Sequence, residues 1–219
     1  FREGTRGERV KQTEIGEMPE SWEVAGIDSI QTKVNYGTSV HCTLDPKGRP
    51  VLRIPNVVGG TIETSELKYA ALPDVEAERV VLQDGDLVFV RTNGNKDYLG
   101  RCAVYHGNPP AALFASYLIR VRINPDEVLP DFAQQFISSV GKEQITSKAH
   151  PASDGKFNID TGILKGVLLP RPKGKDQQEI VHILELLDTR ISLASRSWKS
   201  IGELFSSLRE DFFLPFYIF

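Results

Sequence analysis

The sequence predicts a mixed globular domain of helices and strands (α+β or α/β), followed by one long coiled-coil α-helix. Three observations predict it. Between residues 24 and 172, short apolar runs alternate with Gly, Pro and Asp turn signals, as in a strand-rich domain. Inside that stretch, residues 131–141 space their apolar side chains as a helix does. From residue 176 to about 214, two apolar series recur every seven residues.

The composition permits such a chain. With 219 residues, 40% of them apolar and 25% charged, it can bury a real core and is too apolar to be disordered throughout. No uncharged apolar run approaches the roughly 18 residues that a membrane helix needs. Phe1-Arg2-Glu3-Gly4 carries no apolar run behind a basic start, so no signal peptide is expected there, and the missing initiator Met points to a fragment or a trimmed chain. Cys42 and Cys102 are too few for a disulfide framework, which points to a reducing compartment and a cytoplasmic location.

Element by element, residues 1–23 are polar and Gly-rich and read as a linker, anchored by Trp22 to a domain over 24–175. Within it, Pro50–Ile54, Leu87–Val90, Arg101–Tyr105 and Tyr117–Ile123 read as strands, the last alternating apolar and basic residues from Leu118 onward. Asp131–Gly141 reads as a helix capped by Asp131, with Phe132, Phe136, Ile137 and Val140 on one face. Gly166–Leu169 reads as a short strand closed by Pro170 and Pro172.

Residues 176–219 hold the best-determined element. One series is Ile180, Leu187, Ala194, Ile201 and Leu208; the other is Leu184, Ile191, Trp198, Phe205 and Phe212. They stand as the d and a positions of five heptads, and all ten are apolar. Residues 176–214 as one helix would extend roughly 58 Å, longer than a small domain is wide. A lone helix would leave the seam in water, so a second helix is expected from another chain or from a part not present here.

Charge is unevenly spread. The net of -3 resolves into a mildly basic middle, net +2 over residues 24–175, between two acidic ends. That leans weakly towards a polyanion partner. Nucleophile, acid–base and metal constellations are not convincingly present. Cys102 and His106 lack a second ligand pair, and Gly-x-x-x-x-Gly-Lys-Ser/Thr is missing. Asp74 with Glu76 and Arg79 faintly resembles a nuclease carboxylate cluster without its Lys and strand context. Asn108-Pro109-Pro110-Ala111 resembles an amino-methyltransferase motif with Ala111 in place of the aromatic, and reads as a turn. The chain is not expected to be an enzyme by itself.

One segment is denser in donors than a connection requires. Arg91-Thr92-Asn93-Gly94-Asn95-Lys96-Asp97-Tyr98-Leu99-Gly100-Arg101 joins two strands, where Asn-Gly alone would make a hairpin. Arg91, Lys96 and Arg101 add cations; Thr92, Asn93 and Asn95 both donate and accept. This inventory suits base edges and phosphates.

From this loop outward the sequence resembles the specificity (S) subunits of type I restriction-modification systems. The likeness covers nearly the whole chain. It runs from Ile15-Gly16-Glu17-Met18-Pro19-Glu20-Ser21-Trp22-Glu23-Val24 through Gly48–Val57, Gly85–Gly94 and Leu99-Gly100-Arg101. It continues with Phe114–Arg120, Phe157-Asn158-Ile159-Asp160, Leu169-Pro170-Arg171-Pro172 and Asp176–Val181. Lys156 stands where a Gln is common, Arg171 and Lys173-Gly174-Lys175 make the Pro-rich turn unusually basic, and the Phe-rich end (Phe212, Phe213, Phe216, Phe219) matches weakly.

The resemblance implies one target recognition domain with a twisted mixed sheet, plus one long conserved helix: half of a subunit that normally carries two of each. It implies sequence-specific recognition of half of a bipartite duplex DNA target. The helix's charged outer face would meet methylation (M) subunits, with restriction (R) subunits reached through them. S-adenosylmethionine, ATP and magnesium would belong to those subunits, and no cofactor is expected here. Arg91, Thr92, Asn93, Asn95, Lys96 and Arg101 are the expected DNA contacts, with Tyr36, Thr38, Arg53, Ser116 and Lys156 behind them. The ten heptad residues would pair the helix with a second copy or with the other half of the subunit. Two rivals stand beside this reading: a coiled-coil protein assembly scaffold that does not bind DNA, and a metal-dependent nuclease using Asp74 and Glu76.

Overall fold

The computed structural model describes residues 7–152 and 154–213, with side chains through residue 206. It divides into two units, Phe1–Gln178 and Glu179–Phe219.

The first unit is a mixed α+β domain whose strands are shared among several small sheets. The largest has four antiparallel strands in the order Cys102–Tyr105, Asp86–Val90, Leu118–Ile123, Gln31–Tyr36. Val88 pairs with Ala103 on one side and Arg120 on the other, so Asp86–Val90 lies at the centre, and all five of its residues are buried. Parallel pairing occurs in a second sheet, where Leu113–Phe114 lies beside Arg49–Leu52, which in turn pairs antiparallel with Lys68–Ala70. Val51, Leu52, Val88, Val90, Leu113 and Leu118 form the apolar core that joins these two sheets.

Of the two basic residues of Leu118–Ile123, Arg120 turns out to be internal and Arg122 half-buried. Arg120 is fully buried, donating to Asn35 Oδ1 from Nε (2.9 Å) and Nη2 (2.6 Å), to Val81 O (2.7 Å) and to Arg79 O (2.9 Å). Asp86 supplies the counter-charge to Arg120 and Arg122. A buried guanidinium needs this many partners, because each unmet donor would carry its full desolvation penalty.

Several local expectations shift. The strand expected over Pro50–Ile54 is Arg49–Leu52, and Arg53 instead precedes a 3-10 turn at Ile54–Asn56, tied by the Arg53 N–H to Asn56 Oδ1 at 2.9 Å. The helix expected from Asp131 runs Pro130–Ser138 with Leu129 at its cap, since a proline at the first helical position is preset for the turn. Asp131 pairs instead with His106 Nε2 at 3.1 Å. Val140 falls beyond that helix and is exposed. Pro170 does not close a strand but lies inside Leu168–Arg171, paired with Val24 of Glu23–Gly26. Edge strands of a two-stranded pair tolerate proline on the unpaired side. The stretch expected as a linker carries a hairpin, Val10–Thr13 with Gly16–Pro19. Trp22 follows it, buried edge-on to Phe132 at 6.4 Å between ring centroids.

The second unit is the remainder of the helix Gly174–Phe213, 40 residues and about 60 Å long. Leu187, Ile191, Trp198, Ile201 and Phe205 of the heptad series are 44–73% exposed. Ala194 is exposed too, while Ile180 and Leu184 are intermediate. The side chains of Leu208 and Phe212 lie outside the described residues. Ile183, Leu186, Leu193 and Leu204 add further exposed apolar surface off the seam. No helix among the described residues is long and apolar enough to cross a membrane.

Candidate nucleic-acid interface

Arg91 leaves the central strand and is fixed at several points. Its backbone N–H donates to Tyr117 O at 3.1 Å, and its carbonyl accepts from Ile159 N at 2.8 Å. The guanidinium lies 4.7 Å over the Tyr36 ring and donates from Nη1 to Ser116 O at 3.3 Å. Its Nε is enclosed and has no partner among the described residues. Arg91 therefore brings Tyr36 and Ser116 together, at the cost of part of its own donor fork.

Beyond Arg91 the loop is braced by a hairpin that carries no strand signal of its own. Thr92–Asn93 pairs antiparallel with Phe157–Asn158, and Phe157–Asn158 pairs with His150–Pro151. This encloses Thr92, which is 9% exposed and so a poorer ligand contact than its neighbours. Asn93 and Asn95 shape the backbone: Asn93 Oδ1 accepts from Asn95 N at 2.9 Å, and Asn95 Oδ1 accepts from Asp97 N at 2.9 Å. The second bond caps the 3-10 turn Lys96–Tyr98. From outside, Lys142 Nζ donates to Asp97 O at 2.7 Å.

The two other loop cations also rest on rings. Lys96 Nζ is 4.5 Å over Phe157, and the Arg101 guanidinium is 3.6 Å over Tyr98. Such contacts contribute about 0.5–1 kcal/mol each at exposed sites and restrict where each cation points.

Thr38, Arg53 and Ser116 meet around an open cavity of about 350 Å³, with Cys42, Ala115 and Tyr117 also in its wall. Here the chain crosses itself closely: Thr38 N donates to Phe114 O and Ser116 N to Thr38 O, both at 2.8 Å. Gly37 permits this, since a Cβ there would lie 2.1 Å from Phe114 O. Arg53 spends Nη2 on Glu66 O at 2.7 Å. Lys156 pairs with Asp154 at 2.7 Å. That hydrogen bond holds the ammonium pKa up and the carboxyl pKa down.

Phe157, Tyr98 and Tyr117 were not nominated from the sequence. The available signal was local, an aromatic beside a cation in Lys96-Asp97-Tyr98 and Lys156-Phe157. The other candidate chemistries are not assembled. Asp74 is paired with Arg49 at 3.1 Å, and Cys102 is buried against Ser138. Among the described residues no group of three His, Cys, Asp or Glu side chains could hold a metal ion. Asn108 to Ala111 is a turn with a cis Asn108–Pro109 peptide.

No protein-family model matches the chain. It is 30% identical to the type I restriction enzyme EcoKI specificity subunit of Escherichia coli K12 over 164 residues, 73% of this chain and 34% of that protein. It is 25% identical over 209 residues to a protein of Methanocaldococcus jannaschii assigned as the type I restriction enzyme MjaX specificity subunit, covering 94% of this chain and 48% of the other. The chain thus spans about half the length, or less, of these curated relatives.

Among solved structures, the HsdS subunit from Thermoanaerobacter tengcongensis superposes with a TM-score of 0.62 at 16% identity, over 88% of this chain and 48% of that one. A chain from a study of assembly and conformational transition in the type I R-M system gives 0.68 at 15%, over 89% and 45%. These two likenesses speak for the fold. The Methanocaldococcus alignment takes in the globular unit and the long helix alike, so the match is not a chance likeness of either element: the chain belongs to the specificity (S) subunits of type I restriction-modification systems.

Proposed function

We propose that this chain reads one half of a bipartite target in double-stranded DNA and holds methylation subunits, with restriction subunits joining through them. The observation that carries the reading is the braced loop 91–101, whose three cations each rest on an aromatic ring supplied by Tyr36, Phe157 or Tyr98. Fixed cations around a rigid polar loop suit a partner that offers both phosphates and base edges. Methyl transfer and DNA cleavage, with their S-adenosylmethionine, ATP and magnesium, fall to the other subunits, and this chain takes no cofactor. It acts in the cytoplasm, where free thiols such as Cys42 and Cys102 persist.

The helix supports the assembly half of the reading. Its exposed seam pairs with a second copy of the chain or with the other half of a two-domain subunit, and its outer face meets the methylation subunits. Selection from a randomised duplex library, followed by affinity against salt, tests the DNA half. A selected sequence whose affinity falls steeply with salt supports it. Salt-indifferent association with protein alone would favour a scaffold instead.

A further inference from the structure

We infer that Arg101 is the base-reading side chain of the loop, with guanine as its ligand and Tyr98 as its positioning residue; this rests on the DNA-recognition reading above. The cations near the loop are not equivalent. Arg91 commits Nη1 to Ser116 O, and Arg53 commits Nη2 to Glu66 O. Both enclose Nε, so neither presents an intact edge. Lys96 is a point charge with rotating donors, suited to a phosphate.

Arg101 differs. Among the described residues its guanidinium has no hydrogen bond and no ion pair, only the Tyr98 ring at 3.6 Å. That is contact distance, which a guanidinium reaches when it lies near parallel to the ring. In that arrangement the N–H donors stay in the guanidinium plane, so the ring fixes orientation without consuming a donor.

The backbone beneath is equally constrained. Leu99 and Cys102 on either side are buried, and the Arg101 carbonyl accepts from Val90 N at 2.8 Å. Gly100 sits at φ +69°, where an added Cβ would lie 2.9 Å from Ile145 Cγ2. The chain comes so close to the core there that the root of Arg101 cannot wander. Tyr98 is held in turn by the capped turn Lys96–Tyr98. A fork whose root, plane and orientation are set before binding loses little freedom on docking. Guanine presents O6 and N7 side by side in the major groove, which matches two parallel guanidinium donors.

The test is selection from a randomised duplex library with the unaltered chain and four variants, alongside thermal melting of each. The unaltered chain is expected to prefer a G·C pair at one position. Arg101→Ala and Arg101→Lys should lose that preference by roughly 5- to 150-fold and leave other positions unchanged. Arg101→Lys keeps the charge and should keep the salt slope, so a loss confined to one base pair marks readout and not attraction. Tyr98→Leu should relax the same position, and Tyr98→Phe should restore it. Full preference retained in Arg101→Lys would overturn the inference while leaving DNA recognition intact. Equal effects of Tyr98→Leu and Tyr98→Phe would remove Tyr98 from the role. Absence of any sequence preference in the unaltered chain would overturn the parent reading as well.

Discussion

Asp86 and Arg122 meet through two parallel hydrogen bonds, Nε to Oδ1 at 2.7 Å and Nη2 to Oδ2 at 2.8 Å, with the carboxylate fully buried. The same carboxylate accepts from Gln83 N at 2.8 Å and lies 3.6 Å from Arg120. One acidic side chain therefore serves two guanidinium groups of the adjacent strand and a turn. Of the two basic residues that give that strand its alternating look, Arg120 is buried and closed to a ligand, while Arg122 is partly exposed and is held by the Asp86 carboxylate.

Asp86→Ala should be severely destabilising, because it strands the buried Arg120 charge. The expected loss is about 3–5 kcal/mol, read as a shift of the urea midpoint. A loss below about 1 kcal/mol would mean that Asn35 and the carbonyls of Arg79 and Val81 suffice without the carboxylate.

Arg91→Ala should weaken DNA binding for every sequence alike and lower the salt slope by about one, the signature of a phosphate contact. Its tethered fork motivates this, since Nη1 is already committed to Ser116 O. A change in base preference would instead make Arg91 a reader.

Leu187→Glu combined with Phe205→Glu should abolish helix-mediated association. Both residues are exposed, at 49% and 65%, and sit on the heptad seam. Sedimentation would read the change as a fall from twice 24.4 kDa to that mass. An assembly mass equal to that of the unaltered chain would remove the seam from the interface.

Cys102 should resist thiol reagents at pH 8 until the chain unfolds. Burial raises its pKa to about 12, and Cys42 is raised in the same direction by partial burial. A raised thiol pKa stabilises the folded state below the unfolded value near 9, and that contribution is lost as pH climbs towards 12. Cys102→Ala should flatten the decline in stability over that window; an unchanged profile would place the alkaline sensitivity elsewhere.

The central strands were legible because burial of both faces leaves continuous apolar runs such as Leu87-Val88-Phe89-Val90. The long helix was legible because its period is strict over five heptads. The hairpin His150–Pro151 with Phe157–Asn158 was not, since each strand holds only two paired residues and neither carries an apolar pattern. The loop could be nominated from its donors, but the division of labour within it could not. Whether an arginine's fork is free depends on Ser116 and Glu66, residues distant in sequence that only the folded chain brings close.

The loop's turn is closed by its own side chains, Asn93 to Asn95 and Asn95 to Asp97, while Asp86, at the other end of the strand Asp86–Val90, draws its partners from Gln83, Arg120 and Arg122. Changes at the loop's outward positions therefore need not disturb the folding of the sheet, nor folding changes the loop. Under the DNA-reading function proposed above, such insulation would let a few substitutions in the loop give the chain a new DNA address while the frame of the domain stays the same.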